Sequence, residues 1–201
     1  QPVQNAALTD WMVDIPTASA AGSAETKLSS RRALEMAIDQ AQRRLYIVWP
    51  WSSAVTLDED LLKRFTRLLE RGCHLDIGWC HQGDPQEGRL IGRISQRWAT
   101  ESHQLVQLKS ALNMLLPLRE NYPNHFRFKV MGTAESFLVC DNSTAEAPDS
   151  SFAMLSLQAL PTQNQAFPTV EMKVRSHDPQ VVKGLIQRFQ NPAIAPDDTR
   201  A

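Results

Sequence analysis

Two helix-to-strand passages early in the chain constrain the fold more than any other feature. Leu34, Ile38, Ala41 and Leu45 recur at i, i+4, i+7 and i+11, the spacing of an amphipathic helix opening near Ser29 or Ser30 as N-cap. The period then breaks into Leu45-Tyr-Ile-Val-Trp-Pro50, a β-branched and aromatic run stopped by proline, which reads as a buried strand. Asp58 can cap a second helix with Leu61, Leu62, Phe65, Leu68 and Leu69 on its apolar face. Gly72 stands where a left-handed residue would end that helix, and Leu75-Asp-Ile-Gly-Trp-Cys80 follows as a second strand. Strand, crossover helix and strand predict a parallel pair, hence an α/β layer.

Downstream, an interrupted helical stretch is expected from about Arg89 to Glu120, with Leu105, Leu108, Leu112 and Leu115 on one face. After Tyr122-Pro-Asn124 the pattern predicts strands over 125–131, 136–141, 151–157 and 169–175. Asp178-Pro179 opens a final helix carrying Val181, Val182, Leu185, Ile186 and Phe189. The predicted class is α/β, a mixed β-sheet flanked by helices. Residues 1–28 and 191–201 show no apolar period and read as a flexible leader and tail around one folded domain at 29–190.

Composition narrows the function classes. Hydrophobic residues make up 42% of the chain, enough to bury a core. The net charge of −1 gives no global attraction to nucleic acid or to an anionic membrane. No apolar run reaches the roughly 18–20 residues that membrane insertion requires. Three cysteines cannot all pair, which points to a reducing, cytoplasmic setting.

Ala37-Ile38 precedes Tyr46-Ile-Val-Trp-Pro50, and Leu68-Leu-Glu-Arg-Gly72 precedes an apolar strand. Phe137-Leu-Val-Cys-Asp141, Ser151-Phe-Ala-Met-Leu-Ser156, Val170-Glu171 and the 178–189 helix follow. In this order the segments resemble those of phospholipase D-like domains, the later ones looking like that family's signature half. The resemblance covers about 30–190 and contains a single copy. It implies a site built on H-x-K-x4-D and G-S-x-N. There a histidine attacks phosphorus, lysine and asparagine hold the phosphoryl oxygens, and a second copy's histidine protonates the leaving group.

Aligning Asp141 with the family aspartate puts Ala134 at the histidine, Ser136 at the lysine, Ser156 at the serine and Gln158 at the asparagine. Glu171 completes these degenerate-site positions. Alanine cannot attack phosphorus, and serine carries no charge. His125 and Lys129 are too widely spaced to reproduce the i, i+2 pair. The resemblance thus implies the fold without the activity: no catalytic residue and no cofactor is expected.

Three other constellations remain. Cys73-His74 and Cys80-His81 flank one strand and read as packing, so no metal is expected. Arg89, Arg93 and Arg97, at i, i+4 and i+8, would form a basic stripe on a helix. Trp49 and Trp51 sit at a strand end, where ligand loops collect, and could stack on a ligand or a partner. The functional expectation is a non-catalytic module for protein interaction or homodimerisation within a larger regulatory protein. The alternatives are a nucleic-acid-binding module that has lost nuclease activity, and a phosphodiesterase with a rearranged site.

Overall fold

The computed structural model describes residues 9–14, 24–49, 51, 57–84, 89–94, 97–99, 101–131, 136–144, 150–158 and 171–191. Its centre is a parallel pair, β2 (Arg44–Trp49) and β3 (His74–Asp84), in register from Arg44 opposite His74 to Trp49 opposite Trp79. The crossover is α2 (Glu59–Glu70). Its N-terminus is capped by Asp58, whose carboxylate accepts the Leu61 N–H at 2.9 Å. The chain leaves α2 through Gly72 at φ 80°, a left-handed turn that any Cβ would strain. β6 (Phe126–Met131) adds to β3 in parallel.

On the other side of β2 the sheet turns antiparallel through β7 (Ser136–Asp141), β8 (Phe152–Gln158) and β9 (Glu171–Ser176). β1 (Thr9–Asp14) closes that edge by pairing with β9. The mixed sheet and flanking helices match the expected fold class.

Helices cover both faces. On the first face α1 (Ala24–Gln40), α2 and α3 (Glu101–Asn121) bury Leu34, Ile38, Phe65, Leu68 and Leu115 against Leu45, Ile47, Leu75, Ile77 and Leu138. Each such side chain contributes about 1.5–3 kcal/mol by leaving water. On the second face α4 (Pro179–Gln190) packs Val182 and Phe189 on Tyr46, Val48, Phe137 and Val139.

The structure departs from the sequence reading in three places. α1 opens at Ala24, so Ser30 is a buried residue inside the helix and not its cap. β1 lies within the stretch read as a leader, and β9 supplies the backbone partners that its short sequence does not advertise. The expected helix from Arg89 is absent. β4 (Arg89–Ile94) and β5 (Arg97–Ala99) form an antiparallel extension on the far end of β3, and α3 starts only at Glu101.

Candidate functional site

The antiparallel register assembles a polar row inside the first face. Ser136 on β7 lies opposite Ser156 on β8, and Ser156 lies opposite Lys173 on β9. Directly opposed residues project from the same face of a sheet. The Lys173 ammonium donates to Ser156 Oγ at 3.3 Å and stands 4.3 Å from the centre of the Trp51 ring. The Trp51 indole N–H donates in turn to the Ser30 carbonyl at 3.0 Å, tying the row to α1. Lys173 is 1% exposed and Trp51 is fully enclosed. An ammonium removed from water costs several kcal/mol unless it is compensated. The hydroxyl and the indole π-face both provide that compensation. The row lies toward the carboxyl ends of β2 and β3, the end at which open α/β sheets collect ligands.

Ser136 and Ser156 are thus neighbours, and Gln158 lies opposite Glu171 one pair nearer the same end. Ala134 lies outside the described residues. Asp141 ends the opposite extremity of β7, roughly 17 Å from Ser136 at strand rise. There it accepts from the Ser143 N–H at 3.4 Å and the Ser151 hydroxyl at 3.5 Å, a loop tie remote from the row.

Two expectations need correction. Trp49 and Trp51, read as stacking candidates, are both buried in the core, where the Trp51 indole is tied to Ser30 of α1. Arg89, Arg93 and Arg97 form no helical stripe: they lie on β4 and β5, where Arg93 opposes Trp98 and Arg97 opposes Ile94.

The described histidine rings also avoid the row. His74 and His125 stack at 4.7 Å at the amino ends of β3 and β6, and His177 follows β9 beside Phe152. All three belong to the Asp141 end of the sheet. Burial, reinforced by Arg44, holds the His74 pKa below its ordinary value. Cys73 is buried and donates to the carbonyls of Ala41 and Gln42. Burial pushes the Cys140 thiol up to about 12, so no thiolate nucleophile forms there at neutral pH. Among the described residues no three ligating side chains converge as a metal site would require.

Lys173 is the residue that sequence reasoning missed. Its signal lay in the register, which sets Lys173 directly opposite Ser156.

Solved structures share this arrangement of sheet and helices. TrmBL2, an archaeal chromatin protein whose structure shows a novel mode of DNA binding, superposes with a TM-score of 0.53 at 12% identity, over 94% of this chain and 53% of that one. A polyphosphate kinase from Porphyromonas gingivalis gives 0.51 at 9% identity, over 92% of this chain and 27% of that one. Nuc from Salmonella typhimurium, a phospholipase D family member, gives 0.48 at 13% identity, over 91% and 93%. The chain shares its fold with TrmBL2 and the kinase.

The chain spans about half the length of TrmBL2 and about a quarter of the kinase. No family model and no curated protein sequence matches it. At these identities the likeness speaks of fold alone, and the chemistry has to be argued from the chain's own side chains.

Proposed function

We propose that this chain is a non-catalytic phospholipase D-like module that works by binding a protein partner, a second copy of itself included, in a cytoplasmic regulatory protein. The observation that carries this reading is the enclosure of Lys173. Phosphodiester cleavage needs an imidazole that can reach phosphorus and a cation free to meet the charge that develops there. Here the cation of the row is packed under Trp51 and bonded to Ser156, and the described histidine rings lie at the far end of the sheet. A sealed row of this kind supports a scaffold role. Among the described residues no helix is long and apolar enough to cross a membrane.

The test is an assay on the purified chain with bis-p-nitrophenyl phosphate and labelled oligonucleotides, run beside light scattering on a sizing column. Turnover no higher than buffer and a dimer mass at high micromolar concentration are expected. Turnover that vanishes in His81→Ala would overturn the non-catalytic reading, and a monomer at every concentration would remove self-association. The DNA-binding neighbour motivates one further arm, anisotropy with labelled DNA across a salt series. Binding that strengthens as salt falls would favour the nucleic-acid alternative.

A further inference from the structure

The second face of the sheet carries a charged cavity that the reading above does not use. α4 packs over β7, β8 and the near side of β2, and among the described residues no helix lies across that face of β3 and β6. A cavity of about 480 Å³ opens there, lined by Arg44, Tyr46, Asp76, Arg119, Arg127 and Lys129. Pockets for small molecules span about 300–1,000 Å³.

The register explains how these side chains meet. Tyr46, Asp76 and Arg127 are successive cross-strand partners on β2, β3 and β6. In the next row on this face Gly78 opposes Lys129, and a glycine contributes no side chain to fill the floor. The end of α4 forms a wall. The Phe189 carbonyl accepts from the Lys129 ammonium, and the Phe189 ring lies 4.3 Å from it.

Charge is the second independent observation. Four cations surround one carboxylate in a chain whose net charge is −1. Asp76 is committed to Arg44, whose Nε stands 3.2 Å away. Arg119 and Arg127 form no ion pair among the described residues. Burial holds the Lys129 pKa below its ordinary value, with Asp76 opposing the shift. Burial likewise raises the Asp76 carboxyl against the pull of Arg44, Arg127, His74 and Lys129. A concave surface of one sign focuses its field on an incoming counter-ion. Guanidinium forks match phosphate oxygens two at a time.

We propose that this cavity binds a small phosphate monoester on a hydroxylated carrier, a sugar phosphate or a mononucleotide. Arg119, Arg127 and Lys129 take the phosphate, and Asp76, oriented by Arg44, accepts from a carrier hydroxyl. The proposal stands on these side chains alone and is independent of whether the first-face row is catalytic.

The experiment is calorimetric titration of the full chain at low salt with ribose 5-phosphate, AMP, ribose, inorganic phosphate and a short single-stranded oligonucleotide. One equivalent of ribose 5-phosphate or AMP binds, and which of the two binds tighter identifies the carrier. Ribose alone does not bind, and inorganic phosphate binds more weakly than the esters. Affinity falls on the order of tenfold toward physiological salt. Arg127→Glu and Arg119→Glu, at exposed positions whose folding circular dichroism checks, each weaken binding by about tenfold or more. Lys63→Glu, on the exposed side of α2, leaves binding unchanged. No heat from any ester at low salt, equal binding by ribose, or wild-type affinity in Arg127→Glu would each overturn the proposal. So would binding of the oligonucleotide without binding of the monoesters.

Discussion

Lys173 is held inside the protein by neighbours on two different elements, Ser156 beside it in the sheet and Trp51 across it. Truncation therefore removes both packing and compensation. Lys173→Ala is expected to lower unfolding free energy in urea by about 2–4 kcal/mol. Trp51→Ala, which also strips Ser30 of its donor, is expected to cost about 3–5 kcal/mol. The double variant should lose less than the sum, because both substitutions break the same contact. Sequence reading could not find this pair. In Glu171-Met-Lys173-Val-Arg175 the charged and apolar residues alternate, which predicts one charged and one apolar face. It cannot say that α1 covers the charged face, where Arg175 reaches Met36 of α1 and Phe152. Trp51, placed just after proline, has the local signature of a loop and takes its burial from elements distant in sequence.

At the scale of elements, Asp58 does two jobs. It caps α2, and it receives both arms of Arg31 from α1 at 2.7 and 3.1 Å, so one carboxylate fastens the two helices. The hydrogen bond from Arg31 is the main reason that its pKa is lowered. A carboxyl whose folded value lies below its unfolded value stabilises the fold above about pH 4, and that contribution is lost as pH falls through the lower folded value. Asp58→Asn keeps a capping side chain but removes the charge. The variant should melt below the wild type at neutral pH, with the gap closing on acidification, as a series of thermal melts would show. Asp58→Ala loses the cap as well, at about 0.5–2 kcal/mol.

Helices and strands with strong local signals were legible from sequence: α2 with Asp58 and Gly72, α4 with Asp178-Pro179, and β2 with its run into Pro50. Arg89, Arg93 and Arg97 were misread for a definite reason. A spacing of four places residues on one face of a helix, and because it is even it also places them on one face of a strand. The arginines alone do not discriminate between the two.

For the whole molecule, the mixed topology followed from local periods, whereas the closing of its edge by β1 did not. Six successive pairs join β1 to β9, from Thr9 opposite Ser176 to Asp14 opposite Glu171. β1 is the edge strand, and removing residues 1–14 should strip β9 of these pairs and pass the exposed edge to it. The shortened chain is then expected to scatter as higher-order species at concentrations where the full chain remains a defined oligomer. Light scattering of the two proteins at matched concentration checks this.

The same pairing carries a kinetic consequence. β1 must wait for a strand that begins at Glu171, so this pairing forms only after the intervening segments have been translated. Contacts so far apart along the chain slow folding, because the intervening polymer must first lose its freedom. A nascent chain stalled before β9 would carry β1 as an unclaimed extended segment, open to capture by chaperones.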